Sequence, residues 1–178
     1  MRKYLFILLL FAGCRQQVNT ISANVQSDTT IFAQFQETVT PVMERDGRLG
    51  EEIVAYAKTQ VGVPYRYCSM TPAGGFDCSG FVNYVFNHFN IAVPRASVDF
   101  TNVGQEVQRR WAQPGDVILF TGTNSRIRIV GHIGIVIANN GGAIRFIQST
   151  SGIAYGVVES KLDGYYMTRF VKVIRLTK

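Results

Sequence analysis

The chain has 178 residues, which is the length of a single domain with a full hydrophobic core. Apolar residues make up 47% of the chain and charged residues 17%, which excludes a disordered polyelectrolyte. The formal net charge is +6, but the basic side chains are scattered and form no stripe interleaved with aromatic residues, so we expect no nucleic-acid partner. A mild positive charge suits an anionic polymer outside the cytoplasm, and it equally suits plain solubility.

The N-terminus carries the features of an export signal. Arg2 and Lys3 form a basic start, and an apolar run from Tyr4 to Phe11 follows. This run is far too short to cross a bilayer as a helix, and a polar segment follows soon after it. We therefore interpret residues 1–13 as a signal peptide and exclude them from the fold, the alternative being a buried N-terminal helix.

The residues before Cys14 resemble a bacterial lipobox, the sequence at which a lipoprotein precursor is cut before a cysteine that is then acylated. Phe11-Ala12-Gly13-Cys14 carries this pattern, with Phe11 where leucine is usual. Acyl chains anchor a protein stably, because each buried CH₂ contributes ~0.8 kcal/mol. The resemblance implies that Cys14 is lipidated and that the protein belongs to a bacterial cell envelope, facing the periplasm, in the outer membrane rather than the inner.

Residues 14–46 are dominated by Gln, Ser, Thr and Asn, which favours a polar tether. A coil of this length spans roughly 30 Å root-mean-square and at most about 100 Å when extended. Apolar side chains such as Phe32 and Phe35 would instead allow part of it to dock on the domain. We expect the catalytic domain to occupy residues 47–178.

A first amphipathic helix is predicted over Gly50–Val61, because two glutamates favour its start and Gly62 with Pro64 stops it. Its apolar face consists of Ile53, Tyr56 and Ala57, with Gln60 and Val61 at its end. A weaker helix is predicted across Ser97–Val107.

The stretch Phe76–Phe81 opens a second helix. Asp77 is a favourable N-cap residue, which places Cys78 in the first turn. Apolar residues recur three and four positions apart on one face, and asparagines lie opposite: Phe81, Val82, Val85, Phe86 and Phe89 against Asn83, Asn87 and Asn90. The positive end of a helix dipole lowers the pKa of a thiol, so we expect a nucleophilic Cys78 of low pKa.

After the turn Pro114-Gly115-Asp116 the hydrophobic period changes from helix to strand. The predicted strands are Val117–Thr121, Ile127–Ala138, Ala143–Thr150, Ile153–Val158 and Thr168–Leu176. Helices come first and antiparallel strands follow, which is typical of the α+β class.

The chain has two histidines. His88 lies ten residues after Cys78 on the same helix, about 15 Å along the axis, so we expect it at the surface or at a satisfied helix end. His132 interrupts the apolar strand Val130–Val136, where an imidazole must be hydrogen-bonded or have a chemical role. Together with a helix-capping cysteine, this placement favours a catalytic His132 over a structural one.

Gln148 is the candidate partner of His132. The turn Asn139–Gly142 folds the next strand back, and a register that pairs residues 132 and 148 would place their Cβ atoms ~5 Å apart on one face. That register requires an odd loop or a bulge, because a strict two-residue turn at Asn140-Gly141 would point Gln148 to the other face. A glutamine carbonyl could then accept the imidazole Nδ1–H and fix the tautomer. The alternative is an ordinary polar strand residue.

Two cysteines, Cys68 and Cys78, remain if Cys14 is lipidated. A disulfide between them is sterically conceivable in an exported protein and stays an alternative. The spacing between them, with two histidines in the chain, fits no zinc-site pattern, so we expect no metal and no cofactor.

Five stretches resemble, in order, the motifs of the NlpC/P60 family of cell-wall cysteine peptidases, and they cover roughly residues 48–176. They are Gly62–Tyr67, Gly75–Phe81, Val93–Ser97, Pro114–Phe120 and Gly131–Val136. The resemblance implies a papain-like α+β fold. It also implies hydrolysis of peptidoglycan stem peptides, typically between γ-D-glutamyl and a diamino acid.

The resemblance further implies roles for single residues. Cys78 matches the nucleophile, His132 the base, and Gln148 the third member, which is often histidine. Tyr65 matches a tyrosine near the thiolate and the oxyanion, and the remaining candidates for oxyanion or substrate contacts are Asp77, Ser79 and Ser97. Cys68 stands where glycine is common.

The chemistry that these residues support is acyl transfer. His132 takes the thiol proton, or the pair rests as thiolate–imidazolium, and Cys78 attacks an amide carbonyl whose oxyanion is stabilised by Tyr65 and the Cys78 backbone N–H. Three alternatives stay open: a catalytically weak peptidoglycan-binding lipoprotein, a thiol acyltransferase of the same fold, and a structural lipoprotein with an inert cysteine. We expect peptidoglycan stem peptides as partner, membrane contact through the lipid anchor, and a monomer.

Overall fold

The computed structural model of the protein describes residues 48–177. The helices in this part are α1 (48–58), α2 (Cys78–His88) and α3 (Gly164–Arg169). The strands are β1 (Met70–Thr71), β2 (Gly75–Phe76), β3 (Gln105–Val107), β4 (Val117–Thr121), β5 (Val130–Asn140), β6 (Ala143–Thr150), β7 (Gly156–Lys161) and β8 (Phe170–Arg175). Two 3₁₀ segments, Ser97–Asn102 and Arg109–Trp111, flank β3.

Six strands form one antiparallel sheet in the order β3-β8-β4-β5-β6-β7. The two short strands β1 and β2 pair separately, just before α2. Since α1 and α2 precede this antiparallel sheet in the chain, the predicted α+β class is confirmed.

The sheet carries an apolar layer on each face, because successive side chains of a strand point to opposite sides. Ile133 and Ile135 of β5 belong to a buried cluster that includes Phe81 of α2 and Ile53 of α1. Val136 of β5 belongs to a second buried cluster together with Phe120, Phe146 and Val173, and Tyr166 of α3 packs against it. The strand that carries His132 therefore runs between the two layers.

The buried face of α2 agrees with the predicted stripe, and its four most apolar positions are fully buried: Phe81, Val82, Val85 and Phe86. Asn83, which we expected on the exposed side, is 7% exposed, and its amide donates to the Val93 carbonyl at 3.1 Å. In α1 the buried face uses Val54 where we expected Val61, which is half exposed because the helix has ended before it.

Two of the predicted strands have the bounds that the sequence predicted, and the others are shifted or shortened. The bounds of β4 and β6 agree with the predicted strands, whereas β5 and β7 each begin three residues later than expected. The helix predicted across Ser97–Val107 is wrong in its second half, since a 3₁₀ segment ends at Asn102 and β3 follows. The last predicted strand begins at Phe170, because the residues just before it belong to α3.

The β5–β6 hairpin sets the position of Gln148. Its loop is Gly141-Gly142, with φ values of +59° and +102° that only glycine adopts easily, one residue later than the turn we considered. A bulge interrupts the ladder between Val136 and Ala138. This bulge supplies the extra residue that the sequence argument required, and it keeps Gln148 on the same face as His132.

The signal peptide at residues 1–13, the lipidation site Cys14 and the tether at 14–46 lie outside the described residues, so they stay predictions. Within residues 48–177, no helix is both long and apolar enough to cross a membrane.

Candidate active site

Cys78 is the first residue of α2, directly after the N-cap residue Asp77. The Asp77 carboxylate accepts a hydrogen bond from the Gly80 N–H at 2.6 Å, which is the capping contact expected from the sequence. The preceding chain passes so close that a Cβ at position 80 would lie 2.1 Å from the Ser69 carbonyl oxygen, so glycine is required there. This arrangement holds the partly buried sulfur at the start of the helix.

The Asp77 carboxylate is tied to the protein on both oxygens. Arg95 donates to Oδ1 at 3.0 Å and to Oδ2 at 2.7 Å, and the Ser79 hydroxyl contacts Oδ1 at 3.3 Å. Arg95 also donates to the Ser79 hydroxyl at 3.1 Å. A bidentate guanidinium–carboxylate pair is rigid, so the pair fixes the loop before Cys78 as well as lining the neighbouring cavity.

The pKa of the Cys78 thiol is raised above its usual value. Burial is the largest cause and the Asp77 carboxylate the second, while the backbone N–H groups of Ile133, Ser79 and Cys78 itself act in the opposite direction. The expectation of a lowered pKa at Cys78 is therefore wrong, because desolvation and a neighbouring negative charge outweigh the donors at the helix start. At neutral pH the thiol rests protonated.

His132 and Gln148 are joined directly by a hydrogen bond between His132 Nε2 and Gln148 Oε1. Both side chains are buried, and Gln148 has no exposed surface. The contact uses Nε2, whereas the sequence argument assigned it to Nδ1. Nδ1 is therefore the ring nitrogen that Gln148 does not contact and that can accept a proton.

The orientation of the Gln148 amide follows from its other contacts. Its Nε2 donates to the Ser160 hydroxyl at 2.8 Å and to the Tyr166 hydroxyl at 2.5 Å. With both amide hydrogens used in this way, only the carbonyl oxygen can face His132, so the imidazole must donate its Nε2–H. Ser160 and Tyr166 therefore select the histidine tautomer through Gln148.

The β5–β6 register places Gln148 one pleat away from the position we predicted. The ladder pairs Ile135 with Ile147, so continuing it by one residue sets Gln148 opposite Gly134 rather than His132. A Cβ on Gly134 would lie 2.8 Å from the Ile147 carbonyl oxygen and 3.3 Å from the Gln148 Cβ. Gly134 thus provides the space through which Gln148 reaches diagonally to the imidazole.

The pKa of His132 is lowered to about 4. Burial is the main cause, and the positive charge of Arg169 acts in the same direction, while the hydrogen bond to Gln148 opposes them. The imidazole is therefore neutral at pH 7 and can act as a base. Combined with the protonated thiol of Cys78, this describes a neutral resting pair rather than a thiolate–imidazolium pair.

Two cavities meet at Cys78. The larger one, of about 770 Å³, is lined by Cys78, His132 and Arg169 among others. The smaller one, of about 410 Å³, contains the sequence-predicted contact residues Asp77, Ser79 and Ser97 together with Arg95. Both cavities include Tyr65, Cys78 and Gly131 in their walls. Cys78 thus lies where the two cavities join.

Tyr65 is held beside Cys78 by backbone pairing. It forms a parallel bridge with Phe76, and the Arg66 N–H donates to the Phe76 carbonyl at 3.0 Å. The pKa of Tyr65 is raised, mainly by burial and next by the Cys78 and Asp77 side chains. A protonated phenol at this place can donate a hydrogen bond to an oxyanion.

The remaining cysteine and histidine play other parts. Cys68 is exposed, and its φ of +59° is a conformation that glycine adopts most easily. Both Cys68 and Cys78 are free thiols, so the disulfide alternative is wrong. His88 is exposed, as expected for a helix-end residue, and its ring stacks on that of Tyr56 with 3.7 Å between the ring centroids. Among residues 48–177, no three His, Cys, Asp or Glu side chains are grouped to hold a metal ion.

Four residues of the site were not singled out from the sequence: Arg95, Ser160, Tyr166 and Arg169. Arg95 stood in the recognised Val93–Ser97 stretch, so a charge beside a buried acid could have drawn attention to it. The other three come from β7 and α3, where neither spacing nor hydrophobic period connects them to His132.

A sequence profile of the NlpC/P60 family matches residues 62–175, which is most of the described part of the chain. The chain belongs to the NlpC/P60 family. Its site residues on β5, β6 and α2 all fall within this match.

Named relatives agree with the family assignment. The chain is 37% identical over 126 residues to a probable endopeptidase of Mycobacterium tuberculosis and 39% identical over 99 residues to the γ-DL-glutamyl hydrolase of Bacillus subtilis, covering 70% and 55% of this chain. It spans only 30% and 22% of the lengths of these two relatives. The solved structure of the peptidoglycan hydrolase RipB from M. tuberculosis is 25% identical, with a TM-score of 0.59 over 75% of this chain and 68% of that one.

Proposed function

We propose that this NlpC/P60 protein is a cysteine endopeptidase that hydrolyses peptidoglycan stem peptides through an acyl-enzyme on Cys78. The observation that carries the proposal is the buried Gln148–His132 pair, which leaves a neutral imidazole nitrogen free in the cavity of the Cys78 thiol. A buried histidine with a fixed tautomer next to a helix-capping thiol is suited to nucleophilic catalysis. An inert structural cysteine would need neither feature.

The first step couples proton transfer to attack. Because the thiol and the imidazole both rest neutral, His132 Nδ1 takes the thiol proton as the sulfur attacks the amide carbonyl. The backbone N–H groups of Ile133 and Ser79 lie near the sulfur and stabilise the negative charge that develops on it. The Cys78 N–H and the Tyr65 hydroxyl then donate to the carbonyl oxygen as it becomes an oxyanion.

The second step releases the amine. The C–N bond breaks as His132 returns its proton to the departing nitrogen, and a thioester between Cys78 and the acyl half remains. A water molecule, deprotonated by the now neutral His132, attacks this thioester and restores the thiol. Gln148 keeps the ring oriented in both steps, because its own amide is held by Ser160 and Tyr166.

The bond cleaved is, in this proposal, the one between γ-D-glutamyl and a diamino acid. The relative from B. subtilis named γ-DL-glutamyl hydrolase supports this choice. The smaller cavity supports it as well, because Arg95, Ser79 and Ser97 offer donors for a carboxylate such as the free α-carboxylate of a γ-linked glutamate. Asp77 would lie behind them as the charge that holds Arg95 in place.

We also propose that Cys14 is acylated and holds the domain at the cell envelope. The proposal rests on the lipobox-like residues before Cys14 and on the polar segment after it. Metabolic labelling with a palmitate analogue should mark the wild-type protein and not Cys14→Ser. Equal labelling of both proteins would contradict it.

The activity is tested by mass spectrometry of purified stem peptides incubated with wild type, Cys78→Ala and Cys68→Ala. We expect wild type and Cys68→Ala to produce the two hydrolysis fragments and Cys78→Ala to produce none. Intact peptide with all three proteins would overturn the proposal. Fragments joined to a second amine would instead identify a thiol acyltransferase.

A further inference from the structure

Arg169 is a buried cation at the wall of the larger cavity. The residue is 7% exposed, and its guanidinium donates to the Gly122 carbonyl at 2.9 Å, the Thr121 carbonyl at 2.8 Å and the Tyr165 hydroxyl at 2.8 Å. No carboxylate of residues 48–177 forms an ion pair with it. Carbonyl and phenol oxygens satisfy three of its five N–H groups, and the Tyr165 ring centroid lies 4.8 Å from the guanidinium carbon, but none of these partners is an anion.

Within residues 48–177, the wall of the cavity contains no unpaired carboxylate that could neutralise Arg169. The other permanently charged side chain in its wall is Glu159, which is already paired with Lys58 at 3.2 Å and with Arg145. Tyr165 accepts from Arg169 and is about half exposed, so its own O–H is free to donate into the cavity. Arg169 and Tyr165 together therefore present a positive charge and a row of donors, which suits a carboxylate.

The two cavities can be assigned to the two halves of a substrate. His132 lines the larger cavity and is absent from the wall of the smaller one. In acyl transfer the histidine must reach the departing amine, so the leaving residue occupies the larger cavity. Arg169 lies close enough to His132 for its charge to lower the pKa of the imidazole. A carboxylate on the same carbon as the departing amine would thus lie within the region that Arg169 and Tyr165 control.

We propose that Arg169 and Tyr165 form a binding site for a free carboxylate on the residue whose amino group leaves. The proposal rests on the proposed peptidase function and deepens it, because it names the chemical class of the leaving residue. The protein would favour substrates that end at this residue over substrates in which its carboxylate is blocked as an amide. Arg169 and Tyr165 would be specificity-determining residues and not part of the Cys78–His132 chemistry.

The test compares two synthetic substrates, L-alanyl-γ-D-glutamyl-L-lysine and the same peptide with its lysine carboxylate converted to a carboxamide. Wild type should cleave the acid with a kcat/KM about 10- to 100-fold above that of the amide, as charge-assisted hydrogen bonds of this kind predict. Arg169→Gln should bring this ratio close to one, mainly by slowing cleavage of the acid. Tyr165→Phe, which leaves the ring in place, should lower the ratio severalfold.

Matched variants separate recognition from general damage. Tyr155→Phe alters a tyrosine of nearly the same exposure outside the cavity wall, and Arg128→Gln alters an exposed arginine that also donates to a backbone carbonyl. Both should keep the wild-type ratio. Equal cleavage of acid and amide by wild type overturns the carboxylate site alone, whereas cleavage of neither peptide overturns the proposed function with it. If Arg169→Gln does not fold, an unchanged ratio in Tyr165→Phe is still sufficient to reject the site.

Discussion

The Nε2–H of His132 donates to the side-chain oxygen of Gln148, although the two residues are not opposite each other in the β5–β6 ladder. Gln148 lies opposite Gly134, whose missing side chain opens the diagonal path to the imidazole. Three features therefore produce the contact: the bulge in the β5–β6 hairpin, the missing side chain at Gly134, and the Gln148 amide, which Ser160 and Tyr166 hold in place. Each can be tested on its own.

Loss of the Gln148 side chain should weaken catalysis without ending it. A neutral amide fixes the tautomer of His132 but does not supply the nucleophile or the oxyanion donors, so we expect Gln148→Ala to lose roughly 10- to 100-fold in rate. Gln148→His should keep much of the activity, because a neutral imidazole can accept the same hydrogen bond. The measurement is kcat/KM on one stem peptide, with Cys78→Ala as the background and circular dichroism to check folding. A folded Gln148→Ala as fast as wild type would make Gln148 a bystander.

Tyr166 should act on catalysis only through Gln148. Its hydroxyl accepts from the Gln148 amide, and Tyr166→Phe removes that acceptor while Ser160 keeps the second one. We expect a loss of severalfold in kcat/KM, consistent with about 1 kcal/mol for one hydrogen bond. In the Gln148→Ala background the same substitution should have no further effect. Additive losses in this double-mutant cycle would indicate a separate role for Tyr166.

The position of Cys78 at the start of its helix could be predicted because the information is local. Asp77 before an apolar stripe predicts an N-cap, and the structure contains that cap. Turn residues precede both β4 and β6, Gly115-Asp116 before the first and Gly141-Gly142 before the second, so their bounds followed directly from the sequence. The presence of His132 and Gln148 on one face was also accessible, since it needed only the two-residue period and one extra residue in the hairpin.

The parts that were missed depend on packing between distant segments. The position of the bulge after Val136 decides which residue lies opposite Gln148. No residue type at this position predicts a bulge. The raised pKa of Cys78 reflects burial and the fixed Asp77 carboxylate, neither of which a helix-dipole argument includes. In the sequence, nothing distinguishes Arg169 from an ordinary surface arginine, but the fold buries it near the imidazole of His132.

The depressed pKa of His132 should appear as a pH dependence of stability. Between pH 6.5 and 4 the unfolded chain protonates this histidine while the folded protein keeps it neutral, so the free energy of unfolding falls as the pH is lowered. The difference between about 4 and the usual 6.5 corresponds to roughly 3 kcal/mol. The stabilising contribution is complete above pH 6.5 and is lost towards pH 4.

Carboxyl groups also titrate between pH 6.5 and 4, so the measurement compares the loss of stability in wild type with the loss in a variant that lacks His132. Urea denaturation of wild type and His132→Gln at pH 7 and pH 4, at one ionic strength, gives the extra loss that belongs to His132. Wild type should lose more stability than the variant over this interval. Parallel pH curves for the two proteins would mean that His132 titrates normally in the folded state.

Removal of the Asp77 charge should make the Cys78 thiol more reactive. The carboxylate raises the pKa of Cys78, and asparagine caps a helix as well as aspartate does, so Asp77→Asn deletes the charge while it keeps the helix start. We expect iodoacetamide to alkylate Cys78 severalfold faster at pH 7, measured by mass spectrometry against the exposed Cys68 of the same molecule. Asp116→Asn is the matched control, because Asp116 is also buried and pairs with Arg175 but does not act on the pKa of Cys78. An equal or slower reaction of Cys78 in Asp77→Asn than in Asp116→Asn would show that Asp77 does not hold the thiol in its protonated form.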